Sequence, residues 1–301
     1  MKKIIVFGGS GFLGSHVADT LANHGYEVTI FDINESLHLK SNQRFIKGDI
    51  TDKTQIEQAI IGQDAVYNFA GIADIDEASE NPVKTITTNI IGNTNILEVC
   101  RINEIKRYVF ASTIYVYSNS GSFYRTSKQA CELIIEEYNR KYGLNFTILR
   151  YGSLYGPRAN GKNSMYNFVK QAMENGKIIR HGDGNELRDY IHVYDASQLS
   201  VRILDEEFRN QHVILSGQQK IKIKDLLLMI KEMLNNKVEL EFREQGQSSH
   251  HYNITPFEFA PKLAKKITGY THIDLGQGIL DLMNTLYKEK QLKQDESFNN
   301  W

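Results

Sequence analysis

Tyr124 and Lys128 stand four residues apart in this 301-residue chain. At helical spacing both side chains project from one face. A nearby ammonium favours the charged form of a phenol. A free tyrosine has a pKa near 10, so use as a base at neutral pH requires roughly 4 kcal/mol of preference for the phenolate. A lysine cation at about 4 Å supplies on the order of 4 kcal/mol at an effective dielectric near 20. Such a phenolate can remove the proton of an alcohol, with the Thr113 hydroxyl holding the alcohol oxygen in line. Tyr166 and Lys170 share the spacing and read as a helix surface. Context separates the pairs: Tyr124 follows a strand candidate ending in Ser112-Thr113, and strand ends are where a doubly wound sheet sets its ligand.

The segment Gly8-Gly9-Ser10-Gly11-Phe12-Leu13-Gly14 satisfies both G-x-x-G-x-x-G and G-x-G-x-x-G, between a first strand and a first helix. Glycines permit the tight turn and let the backbone approach a pyrophosphate, which the helix N-terminus attracts. Asp32 ends the second strand, 18 residues beyond Gly14, where an acid accepts hydrogen bonds from both ribose hydroxyls. No arginine stands in Ile33-Asn34-Glu35 to offset its charge against a 2'-phosphate, so the pattern selects NAD over NADP. An oxidised nicotinamide would add a second positive charge beside Tyr124.

Strand candidates at Ile4–Phe7, Val28–Phe31, Arg44–Lys47, Ala65–Asn68, Arg107–Phe110 and Phe146–Leu149 alternate with helical patterns at Phe12–His24, Lys53–Ile60, Pro82–Cys100 and Tyr124–Tyr142. This is the form of βαβ units winding a parallel sheet. The expected fold is α/β, a Rossmann-type doubly wound sheet with a smaller C-terminal α/β substrate lobe. The expected division is residues 1–155 for the dinucleotide domain, with segments near 190–215 returning to it, 156–287 for the lobe, and 288–301 for a frayed tail. Helices are predicted over Lys222–Leu234 and Phe257–Ile267, the latter carrying Lys265-Lys266 on a solvated face.

The composition excludes other classes. With 35 Lys+Arg against 36 Asp+Glu, there is no global field for nucleic acid or an anionic membrane. No apolar run approaches the ~20 residues of a membrane span, so the expectation is a cytoplasmic protein. Cys100 and Cys131 read as buried packing residues in a reducing compartment. His181, His192, His250 and His251 lack partners at ligand spacing, so no metal is expected.

Together these residues resemble the extended short-chain dehydrogenase/reductases, specifically the NAD-dependent nucleotide-sugar epimerases and dehydratases, from Ile4 to about Tyr287. The resemblance extends to Gly48-Asp49-Ile50, Asn68-Phe69-Ala70-Gly71, Asn89-Ile90-Ile91-Gly92, Phe110 to Tyr117, Leu149 to Arg158 and Arg188 to Val193. It implies that Gly8, Gly11, Phe12, Leu13, Gly14, Asp32, Ile33, Asp49, Ile50, Phe69, Ala70, Gly71, Asn89, Ser112 and Tyr151 join Tyr124 and Lys128 in binding NAD. It also implies catalysis by Thr113, Tyr124 and Lys128, substrate contacts from Thr113, Ser153 and Arg188, and a homodimer through the Pro82–Cys100 and Tyr124–Tyr142 helices. For Arg188, a salt bridge with Asp189 or Asp195 is the competing reading.

Ile114-Tyr115 replace the Asp-Glu of family dehydratases, which argues against loss of water. The loop Ser118–Phe123 is shorter than usual, so the sugar pocket could be more open; Ser153 replaces an asparagine and Arg125 a glycine. The expected reaction is NAD-dependent oxidation and reduction at C4 of a nucleotide-diphosphate sugar, chiefly as a 4-epimerase. The alternatives are a C4-dehydrogenase or 4-keto reductase acting on a hexose or heptose derivative, and a non-catalytic NAD-sensing regulator.

Overall fold

The computed structural model describes residues 1–244, 265–269 and 272–298. Thirteen strands are described: β1 (Lys3–Phe7), β2 (Glu27–Asp32), β3 (Gln43–Lys47), β4 (Ala65–Asn68), β5 (Arg107–Thr113), β6 (Phe146–Tyr151), β7 (Ser153–Tyr155), β8 (Lys177–His181), β9 (Leu187–His192), β10 (Gln211–Leu215), β11 (Lys220–Lys222), β12 (Glu239–Arg243) and β13 (Lys265–Ile267). The α-helices are α1 (Phe12–Asn23), α2 (Lys53–Ile60), α3 (Ile75–Glu80), α4 (Pro82–Ile86), α5 (Gly92–Ile102), α6 (Ser122–Tyr142), α7 (Ser164–Asn175), α8 (Val193–Arg202), α9 (Ile223–Met233) and α10 (Leu275–Phe298).

Eight strands form one parallel sheet in the order β13-β10-β6-β5-β4-β1-β2-β3. The chain winds outward from β1 through β2 and β3, then from β4 through β5 and β6. The reversal between β1 and β4 opens a crevice at their C-terminal ends, the switch point where such sheets hold ligands. The central strands are nearly continuous apolar runs, as a sheet covered on both faces requires. Val17, Leu21, Ala196 and Leu199 cover one face, and Ile56, Ile96, Leu97, Cys131 and Ile135 the other. A third cluster includes Val169, Leu226, Leu227, Ile230, Ile279 and Leu282. It lies with the small sheets β11-β9-β7 and β12-β8. β10 returns to the main sheet beside β6, and α8 packs on α1.

Two local expectations change. Residues 265–267, predicted helical, pair as β13 along β10 with Ile267 buried, because β10 otherwise leaves an open sheet edge. The rest of that predicted helix, with His250 and His251, lies outside the described residues. Lys265 and Lys266 therefore flank a sheet edge, Lys266 standing 4.0 Å from the Asp189 carboxylate. Helix α10 runs from Leu275 to Phe298, with the helix formers Lys, Glu and Gln frequent beyond residue 288. Finally, the Pro82–Cys100 helix contains a π-helical turn, Thr87–Ile91, between α4 and α5.

Candidate active site

β1 delivers the chain into the glycine turn with Gly8 at φ 74°. A Cβ on Gly8 would lie 2.4 Å from the Ala70 nitrogen, and one on Gly14 would lie 2.2 Å from the Gly8 oxygen. No side chain fits at either place, so the turn stays tight and α1 starts directly behind it. The adjoining cleft has a volume of about 570 Å³ and is lined by Gly8, Gly11, Phe12, Asp32, Ile33, Asp49, Ile50, Phe69, Ala70 and Gly71. Asp32 accepts hydrogen bonds from the backbone N–H groups of Ser10 and Asn34 at 3.0 and 3.1 Å, which fix its carboxylate at the end of β2. A tight glycine turn, a helix N-terminus and a fixed acid fit the pyrophosphate and ribose of a dinucleotide.

β5 and α6 carry the three residues expected to be catalytic. Thr113 closes β5 and its Oγ1 accepts from the Tyr115 N–H at 3.2 Å, leaving the hydroxyl hydrogen to donate. Lys128 is buried; its Nζ donates to the Ala111 carbonyl at 2.7 Å, 4.7 Å from the Phe110 ring centroid and 6.0 Å from that of Tyr124. The half-buried Tyr124 meets Tyr115 edge to face at 6.3 Å between centroids.

The remaining expected site residues divide into groups. The Ser112 hydroxyl donates to Glu132 and is committed there. The Asn89 amide is fully engaged, accepting from Ile72 N–H at 2.7 Å and donating to Ile72 O and Ser127 Oγ at 3.0 and 2.9 Å. The π-helical turn presents Asn89 to both partners, so it ties α6 to the segment around Ile72. The Tyr151 hydroxyl pairs with Ser200 Oγ at 2.6 Å in the core, and burial pushes its pKa up. Leu13, Gly14, Asn89, Ser112, Tyr124, Lys128 and Tyr151 do not line the cleft itself. Ser153 and Arg188 occupy neighbouring strands β7 and β9, with Ser153 paired to Tyr190. Arg188 is buried and donates to Leu187 O at 3.1 Å. His192 caps α8, and burial pulls it down to about 4, so it is neutral at pH 7. Among the described residues, no group of three His, Cys, Asp or Glu side chains could hold a metal, and no helix is long and apolar enough to cross a membrane.

The sequence pattern missed a buried network behind the site. Arg150 on β6 donates from Nε and Nη2 to Glu132 at 3.0 and 2.6 Å, and it also meets Tyr117 Oη and His212 Nδ1. Glu132 follows Lys128 by one helical turn, a spacing visible in sequence, but its partner on β6 is a tertiary fact. It joins β5, β6 and α6, the elements that carry Thr113, Tyr124 and Lys128.

Burial pulls Lys128 down to about 8 from 10.5. Between those values the unfolded chain binds the proton and the folded chain does not, so this group makes stability rise with pH from about 8 toward 10.5. The wild-type urea midpoint, referenced to Lys128→Met, is therefore expected to increase over that window. A flat difference would mean that the ammonium is not buried as described.

The fold and site define a dinucleotide-binding enzyme of the extended short-chain dehydrogenase/reductase type. Residues 4–216 match the model of the NAD dependent epimerase/dehydratase family, and the chain belongs to that family. It is 28% identical over 276 residues to a UDP-glucuronate 4-epimerase of Thermodesulfobacterium geofontis, covering 80% of this chain and 84% of the relative. It is 27% identical over 267 residues to a UDP-N-acetyl-alpha-D-glucosaminuronate decarboxylase of Bacillus cytotoxicus, covering 79% and 82%. The UDP-glucose 4-epimerase of Thermotoga maritima, solved with UDP-glucose, superposes with a TM-score of 0.84 at 24% identity over 95% of this chain and 99% of that one.

Proposed function

We propose that the protein interconverts epimers at C4 of a nucleotide-diphosphate sugar. What supports this reading most is that Thr113 ends β5 and that Tyr124 and Lys128 share α6, with the Lys128 ammonium 6.0 Å from the Tyr124 ring centroid. NAD, when bound, supplies the hydride acceptor and later returns the hydride. The Thr113 hydroxyl donates to the C4 oxygen, and Tyr124, held as phenolate by Lys128, takes the alcohol proton. Lys128 stays on the Ala111 carbonyl while its other N–H groups remain available to the ribose and phenolate. Tyr124 would give its proton back to the C4 oxygen when the alcohol re-forms. Arg188 on β9 is the proposed contact for the sugar's diphosphate, with Ser153 beside it.

Retention of the 4-keto intermediate separates epimerase from dehydrogenase. Gly121 and Ser122 turn the short loop sharply, at φ 107° and 49°. A Cβ at Gly121 would strike the Tyr115 ring at 2.7 Å. The Tyr115 ring thus packs directly on the short loop, and this close packing supports retention. The test is incubation with uridine, thymidine, guanosine and cytidine diphosphate sugars, followed by NMR of products and absorbance of reduced cofactor. C4 inversion without net reduction is expected. Free 4-keto sugar with stoichiometric reduced cofactor would make the protein a dehydrogenase instead.

The carboxylate of Asp32 assigns the cofactor as NAD. Asp32→Ala is expected to weaken NAD by about tenfold while NADP changes little, because the variant removes both ribose hydrogen bonds and the repulsion of a 2'-phosphate. Equal loss for both cofactors would remove Asp32 from that role. We further propose a homodimer through α4, α5 and α6. Their exposed apolar residues Val83, Ile86, Ile102 and Leu133 favour coverage by a second copy. The buried, unpaired Cys100 and Cys131 support a reducing, cytoplasmic setting.

A further inference from the structure

Lys162 lines the same cleft as the glycine turn. Residues 156–163 form a strap between two helices. His16 on α1 donates to the Pro157 carbonyl at 2.9 Å, and Arg158 pairs with Asp19 on α1 at 2.7 Å. At the strap's other end, Lys162 pairs with one oxygen of Glu77 on α3, whose second oxygen stands 3.6 Å from Lys84 Nζ. The carboxylates lining the cleft are Asp32, Asp49, Asp74 and Glu77, and among the described residues its cations are Lys84 and Lys162.

A diphosphate entering this cleft meets backbone N–H groups from the glycine turn but no cation there. Lys162 has a side-chain exposure of 61%, so its pair with Glu77 is screened by water and easily exchanged. A phosphate oxygen offers it a shorter, charge-assisted hydrogen bond. We propose that Lys162 is a diphosphate-contacting residue: Glu77 holds its ammonium while the cleft is empty, and a diphosphate oxygen takes it over from Glu77 on binding. This rests on the reading of the cleft as a dinucleotide site bordering a nucleotide-sugar site. Either molecule's diphosphate has the required chemistry.

The test is calorimetric titration of the full chain, cleared of co-purified nucleotide, with NAD and separately with UDP as a nucleoside diphosphate probe. Lys162→Met is expected to raise Kd about tenfold or more for one probe, and the probe affected names the diphosphate. Lys162→Arg is expected to restore most of that affinity, and Glu77→Gln to leave binding unchanged or tighter, because it removes a competing anion. Unchanged affinity of Lys162→Met for both probes would overturn the proposal. So would a loss in Glu77→Gln equal to that in Lys162→Met, which would mean that the ion pair itself latches the cleft. Wild-type turnover of nucleotide sugars, measured alongside, tests the underlying function separately.

Discussion

Tyr124→Phe is expected to lower turnover by about 10²–10⁴-fold, with a far smaller loss of NAD affinity. The variant deletes one oxygen. The ring can keep its edge-to-face contact with Tyr115, and Lys128 keeps its hydrogen bond to Ala111. What disappears is the group that accepts the alcohol proton and later returns it. Steady-state turnover together with NAD titration checks this. Unaltered turnover would place the base elsewhere, and an unaltered cellular role without any turnover would revive the sensing regulator.

The second large effect is on stability. Glu132 and Arg150 have side-chain exposures of only 2% and 1% and share two hydrogen bonds. Glu132→Ala leaves a buried guanidinium facing Tyr117 and His212 without its anion, which costs about 3–5 kcal/mol. Against a typical total of about 5–15 kcal/mol, that is a substantial fraction. Replacing both partners by methionine removes the unpaired charge, so Glu132→Met with Arg150→Met is expected to recover most of the loss. Urea unfolding of the single and double variants decides it. A loss below about 1 kcal/mol in Glu132→Ala would show that water reaches Arg150 freely.

The legible parts of this protein were the local ones. The strand from Lys3 to Phe7, the glycine turn, the acid ending β2 and the Tyr124–Lys128 helix are each written in residues near one another in sequence. The winding of the main sheet followed because alternating apolar strands and amphipathic helices admit few topologies. Long-range pairing hid the rest. Nothing near Lys265 signals a strand until β10 supplies its partner. Nothing near Tyr151 shows that its hydroxyl turns to Ser200, 49 positions later in the chain. Asn89 was expected at the site through the family resemblance, but its work as a brace between Ile72 and Ser127 depends on a π-helical turn with no simple residue signature. The Glu77–Lys162 pair spans 85 positions and was invisible for the same reason.

The account depends most on the acidity of one phenol, and ultraviolet difference titration of the NAD complex measures it directly. Wild type minus Tyr124→Phe is expected to show a phenolate band appearing at least about 2 pH units below the value near 10 of free tyrosine. A band that develops only near pH 10, despite bound NAD and a buried ammonium, would contradict the proposed base.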